Sequence, residues 1–191
     1  LEELEELSAV CRERDLKLFV DGARLAYALA SPANDVTLAD LARLTDVFYI
    51  GGTKCGSLFG EAVVIPERGS IRQFVTQMKQ HGALLAKGRL LGVQFEALFE
   101  DGLYLTIGEP AVKATARIRE ALKRAGYVVT MDSPTNLTFV ALDQAGHERL
   151  SDKVRYSIWE TLPDGRYLAR IGTSWATPEE DVAAFEQALA R

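Results

Sequence analysis

The sequence predicts an α/β protein: a mostly parallel, buried sheet first, then a small α+β domain with the order αββαβα. Three observations predict it. Strand-length apolar runs alternate with helical stretches up to Asp101, which argues a sheet packed between helices. From residue 103 the pattern changes to helix, two strands, helix, strand, helix. Asp101-Gly102 breaks the chain between the two patterns. The expected parts are residues 1–69, a long connecting helical segment over 70–101, and residues 102–191.

Each element has a local reason. Leu1, Leu4, Leu7, Val10 and Cys11 recur at spacings of three and four, so residues 1–14 read as an amphipathic helix. KLFVDGAR then reads as a short buried strand ending at Asp21. Arg24 to Ala30 are helical, and Ser31-Pro32 stops them. Thr37 caps a helix to Leu44, with Asp40 three residues on. DVFYIGG is the second strand and EAVVIPE the third, ended by Pro66. Ser70 opens a helical segment to about Glu100, weakened by Gly82, Gly88 and Gly92 at ~1 kcal/mol each against alanine. A further helix reaches Ala125, interrupted early by Gly108 and Pro110 and capped by Gly126. YVVTM and LTFVAL are strands around the turn SPTN. Residues 148–160 are expected to be helical, Pro163-Asp164-Gly165 a turn, and RYLARIGTSWA a strand. Thr177 followed by Pro178 starts the last helix.

Composition narrows the classes of function. The chain has 191 residues, 48% hydrophobic, which supplies enough apolar side chain for a real core. A net charge of −5 argues against nucleic-acid binding. No apolar run reaches the ~20 residues of a spanning helix. LEELEELSAV reads as an acidic helix rather than a signal peptide, with Glu2, Glu3, Glu5 and Glu6 on a solvated face. The two cysteines, Cys11 and Cys55, read as reduced thiols of a cytoplasmic protein. His81 and His147 lie far apart, so no metal site is expected.

The chemistry centres on DVFYIGGTKCG. It places Lys54 just past the end of a buried strand, as LFVDGAR places Asp21. In parallel α/β sheets, ligands sit off the carboxyl ends of strands. A lysine can form a Schiff base with a carbonyl cofactor. Pyridoxal 5′-phosphate needs such a lysine, and an acid that keeps its ring nitrogen protonated. That contact is a charge-assisted hydrogen bond worth about 1.5–3 kcal/mol. Gly51 and Gly52 would let backbone approach the cofactor closely. On spacing alone, two solvated loop charges stay open as the alternative. Arg170 lies inside a strand, where a charge needs a partner, and its fork suits a carboxylate; an edge strand with Arg170 facing water stays open too.

DGAR, then DVFYIGGTKCGSLFGEAVVI, then RIGTSWATPEEDV, with LLAKGRLLG and SPTN between, resemble the threonine aldolase and β-eliminating lyase family. These are pyridoxal-phosphate enzymes of the aspartate-aminotransferase fold type. The resemblance implies that Asp21 partners the ring nitrogen and Lys54 bonds the cofactor. It places Arg24 beside the ring, Lys87 toward the phosphate, and Arg170 on the substrate α-carboxylate. It implies carbon–carbon cleavage of a small β-hydroxy amino acid, such as L-threonine or L-allo-threonine to glycine and acetaldehyde, in a homodimer or homotetramer. β-Elimination, transamination, or a non-catalytic interaction module are the alternatives. Measured against the family, the sequence reads as a C-terminal portion. It lacks a Gly-rich phosphate loop and a stacking histidine, so weak cofactor binding by this chain alone and an exposed sheet edge are expected.

Other residues carry paired readings. Cys55 is a thiolate beside Lys54 or a buried small hydrophobe. His81 faces the cofactor or the helix surface. Trp159 and Trp175 belong to core or interface. Arg117, Arg119, Lys123 and Arg124 read as a wet helix face with favourable charge at the C-terminus.

Overall fold

Residues 1–190 are described by the computed structural model, and the chain divides into two compact units. The first comprises residues 1–29 and 34–106; the second comprises 30–33 and those from 107 onward.

In the first unit, α1 (Glu2–Glu13), β1 (Phe19–Val20), α2 (Leu25–Leu29), α3 (Leu38–Leu44) and β2 (Val47–Gly51) follow in order. Thr37 caps α3 in a full capping box: its hydroxyl accepts from Asp40 N–H (3.1 Å), and Asp40 accepts from Thr37 N–H (3.0 Å). The apolar stripe expected on α1 is not what packs. Leu7 and Val10 stand exposed, while Ser8 is buried and donates to Leu44 O at 2.7 Å. The inward line runs Leu4, Ser8, Cys11, spaced by four and three, so Leu7 and Val10 fall off it.

β1 pairs parallel with β2, with Phe19 opposite Val47 and Val20 opposite Phe48. β3 (Glu61–Val64) pairs antiparallel with β2, with Gly51 opposite Glu61. The sheet, in order β1-β2-β3, is therefore mixed rather than mostly parallel. The reason is the connection: residues 52–60 are fewer than the ~10–12 a parallel crossover needs. Nor is this sheet fully buried, since Phe19 and Val63 stand more than half exposed.

The segment expected as one long helix is two, α4 (Phe74–Gln80) and α5 (Arg89–Phe99). Gly82 takes φ +70°, which closes α4, and His81 is its exposed C-cap. A 3₁₀ turn (Glu100–Gly102) and α6 (Leu103–Thr106) complete the unit.

The second unit contains α7 (Glu109–Arg124), β4 (Val128–Met131), β5 (Leu137–Leu142), α8 (Gln144–Ser151), β6 (Ser157–Thr161), β7 (Tyr167–Gly172) and α9 (Glu179–Leu189). The expected order αββαβα is corrected to αββαββα. SIWET forms a strand, not the end of a helix. Its β-branched and aromatic residues suit a pleated surface, and Pro163-Asp164-Gly165 folds it back on β7. The sheet is antiparallel in order β4-β5-β7-β6, which makes β7 a central strand. Its core joins Ile118 and Leu122 of α7, Val140 and Leu142 of β5, Leu150 of α8, Ala169 of β7, and Val182 and Leu189 of α9. α9 begins after Pro178 rather than Thr177, whose hydroxyl turns back to accept from Ser174 N–H at 2.8 Å. Arg119 is buried, not on a wet face; it donates to Ser133 O. Arg117 bridges to Glu179 and Glu186 of α9. No helix among the described residues is long and apolar enough to cross a membrane.

Thr138 is fully buried in β5, and its hydroxyl has no partner among the described residues. A buried unpaired hydroxyl costs about 1–3 kcal/mol. Thr138→Val should raise the unfolding free energy by about 1 kcal/mol, read as a higher urea midpoint at unchanged m-value; a lower midpoint would show that the hydroxyl is satisfied in solution.

Candidate active site

The site begins with a backbone contact. Gly51 N–H donates to Gly22 O at 2.9 Å, extending the parallel pairing of β1 and β2 past the strand end. A Cβ on Gly22 would lie 1.7 Å from Tyr49 O. One on Gly51 would lie 2.5 Å from Gly22 O and 2.6 Å from Ala23 O. Both positions therefore admit only glycine without backbone movement. Gly51 and Gly52 have a packing reason of their own: protein atoms occupy the space a Cβ would take, and a Cβ on Gly52 would lie 2.6 Å from Gly60 O and 2.9 Å from Ser57 Cβ.

With the strand ends level, Asp21 emerges from β1 and Lys54 from the turn after β2, at the same edge of the sheet. Both are exposed. Asp21 Oδ1 accepts from the Tyr49 phenol and from Ala23 N–H (3.0 Å). Asp21 Oδ2 has no hydrogen-bond partner among the described residues. The Tyr49 bond, then Ala23 N–H, then the charges of Lys54 and Arg24 hold the Asp21 carboxyl below the usual carboxylate range. Tyr49 is pushed up in turn by that carboxylate. Arg24 and Lys54 make no side-chain ion pair among the described residues.

The turn that carries Lys54 is tied at successive residues. Tyr104 Oη donates to Gly51 O at 2.9 Å. Gly52 N–H donates to Glu61 Oε2 at 2.5 Å, and Thr53 Oγ1 donates to Glu61 Oε1 at 2.8 Å. Tyr27 Oη donates to Lys54 O. Farther along the loop, Gln94 of α5 accepts from Ser57 Oγ (2.9 Å) and Leu58 N–H (2.8 Å). Cys55 is fully buried, and burial pushes its thiol up. Of its two readings, the small buried group fits and the thiolate does not.

Lys87 is exposed between α4 and α5, and its amine has no partner among the described residues. Arg170 lies in the second unit, half-buried on β7 between Phe139 and Ser157 of the neighbouring strands. Its strand is not an edge. Its partner is aromatic: the guanidinium carbon sits 4.5 Å from the Trp159 ring centroid. The register between β6 and β7 shifts at Trp159, and such a bulge re-aims its side chain. No carboxylate pairs with Arg170 among the described residues. Trp159 and Trp175 are both exposed rather than core.

Sequence reasoning missed Tyr49, Tyr27, Tyr104 and Glu61. Tyr49 had a signal: in the β1–β2 register, Asp21 falls beside it. That signal needs the parallel register, which the sequence alone does not state. The other three act on backbone through long-range contacts and carry no local pattern.

The chain matches the family of beta-eliminating lyases over residues 1–145. It is 38% identical over 186 residues to the low-specificity L-threonine aldolase of Pseudomonas sp. strain NCIMB 10558, covering 95% of this chain and 52% of that protein. Over the same span it is 30% identical to the low-specificity L-threonine aldolase of Pseudomonas aeruginosa. A solved structure of Leishmania major threonine aldolase superposes with a TM-score of 0.93 at 44% identity, covering 100% of this chain and 56% of that one. The chain spans about half the length of the curated relatives it matches.

Because its folded pKa is depressed, Asp21 contributes stability that is present above the ordinary 3.8 and lost as pH falls through the folded value. A carbon-13 titration of the Asp21 carboxyl should give a midpoint below 3.8. Tyr49→Phe should move that midpoint upward; an unmoved midpoint would show that the phenol does not hold the carboxylate.

Proposed function

Because the chain belongs to the beta-eliminating lyase family, we propose that it carries the cofactor lysine of a pyridoxal-phosphate-dependent carbon–carbon lyase. The substrate is a small β-hydroxy amino acid, L-threonine or L-allo-threonine, and the products are glycine and acetaldehyde. Enzymes of this family depend on pyridoxal phosphate. In this reading the first unit belongs to the cofactor-binding domain and the second is the small α+β domain.

The observation that carries the reading is the state of the Asp21 and Lys54 side chains. Asp21 is anchored through one oxygen and keeps the other for a ligand. Lys54 offers an amine unpaired among the described residues, from a tied turn at the same sheet edge. A structural ion pair would have joined the two groups directly. The donor set thus fits an aromatic aldehyde with a basic ring nitrogen, the chemistry of the cofactor. When bound, pyridoxal phosphate supplies a sink for the electron pair left on Cα when the Cα–Cβ bond breaks.

The chain's own residues would divide the remaining work. Lys54 holds the aldehyde carbon through its primary amine. Asp21, ionised well below neutral pH, holds a proton at the ring nitrogen and keeps it cationic. Arg24 lies beside that contact, and Lys87 is the candidate for the phosphate. Arg170 grips the substrate carboxylate. Its guanidinium sits over the Trp159 ring, and no carboxylate among the described residues occupies its N–H fork, which is left for a bidentate contact.

The intact gene product, supplied with pyridoxal phosphate and L-threonine, should form glycine and acetaldehyde in equal amounts. Lys54→Ala should remove this activity by at least ~10³-fold, and Asp21→Asn should slow kcat by ~10²-fold or more. A keto acid with ammonia as product would instead assign β-elimination. Wild-type rates in Lys54→Ala would end the reading.

A further inference from the structure

Nothing in the proposed chemistry requires that buried tyrosines touch the backbone of the lysine turn, yet two do. Tyr27 and Tyr104 are 1% and 0% exposed. Each donates its hydroxyl to a main-chain carbonyl of the turn, at Lys54 and Gly51 respectively. Between those carbonyls, the Glu61 carboxylate takes Gly52 N–H on one oxygen and the Thr53 hydroxyl on the other. Each residue from Gly51 to Lys54 therefore carries one tie from a side chain on a separate element: α2, α6 or β3. Among the described residues no tie reaches the Lys54 side chain. We propose that Tyr27, Tyr104 and Glu61 are positioning residues that fix the backbone under Lys54, so that its amine is delivered at one place relative to Asp21.

The physical argument is one of reach. A lysine side chain has four rotatable carbon–carbon bonds and gains little precision of its own. Its amine can be placed repeatedly only if the Cα is fixed and pointed. A displacement of about 1 Å at a reacting group can cost ~10²-fold in rate. The bland alternative is that the ties merely satisfy backbone groups left over where the ladder ends. The two differ in what is lost when a tie is removed. A leftover-satisfying bond affects stability alone; a positioning bond affects how fast Lys54 captures a ligand also held elsewhere.

This inference rests on Lys54 being the cofactor lysine, and its test separates the two failures. In the intact gene product, Lys54 is trapped by condensation with pyridoxal phosphate, which releases one water, followed by hydride from cyanoborohydride. The Lys54 peptide is quantified by mass spectrometry. Formaldehyde, which needs no second contact, is trapped in parallel. Tyr27→Phe and Glu61→Ala should slow capture of pyridoxal phosphate about tenfold while leaving formaldehyde capture unchanged. Glu61→Gln, which keeps an acceptor for Gly52 N–H and can donate to Thr53, should stay near wild type. Tyr104→Phe, which removes only a hydroxyl, repeats the test if Glu61→Ala does not fold. Unchanged capture in the folded variants, with only a lowered Tm, would overturn the positioning role. So would a Glu61→Gln variant as slow as Glu61→Ala, which would assign the effect to charge. Wild-type protein that traps formaldehyde but no pyridoxal phosphate on Lys54 would instead sink the cofactor reading, and this inference with it.

Discussion

The approach of Gly22 to Gly51 is the constraint on which the rest of the first unit depends. One N–H···O bond of 2.9 Å carries the parallel pairing one step beyond the two-residue strand β1. That step brings the chain at Asp21 level with the chain entering the Lys54 turn. Any Cβ at either glycine would meet a carbonyl oxygen well inside contact distance. Had β1 run antiparallel to β2, Asp21 would have emerged at the opposite edge of the sheet. Strand direction and two missing side chains, more than any polar contact, place an acid and an amine together.

Once placed, the charged groups are handled differently. Asp21 is made rigid by accepting two hydrogen bonds on one oxygen, which also keeps it ionised. Lys54 is held through its backbone, and its amine has no partner among the described residues. Arg170 is held by an aromatic face, an interaction worth about 0.5–1 kcal/mol at an exposed site, far weaker than a buried ion pair. Each arrangement orients a charge without neutralising it. Each charge is thereby left available to a ligand.

What the sequence revealed, and what it hid, follows the range of the interactions. The capping box at Thr37 and the end of β2 at Gly51 were legible, and the end of β1 fell one residue before the expected Asp21, because they depend on neighbours a few residues away. The expected mostly parallel sheet is mixed because β3 turns back on β2, and the shortness of the 52–60 loop contained that answer. Residues 157–160 suggest a helix from sequence because their alternation is brief; the helix stops at Ser151 and five residues separate it from β6. The outward turn of Leu7 and Val10 depends on where α3 lies, which no periodicity in α1 reveals. Asp21, Lys54 and Arg170 stood out as charges at strand positions. Tyr49, Tyr27, Tyr104 and Glu61 look ordinary in sequence, because their contacts reach across the fold and end on backbone, on Asp21 or on Thr53.

The central claim is that Asp21 and Lys54 address one aromatic ring from its two ends. A crystal structure of the intact gene product grown with pyridoxal phosphate tests it most directly. The account requires continuous density from Lys54 Nζ to the ligand, with the ring nitrogen within about 3 Å of Asp21 Oδ2. Density bonded to Lys54 with the ring nitrogen turned to solvent, or a ligand seated away from both residues, would contradict it.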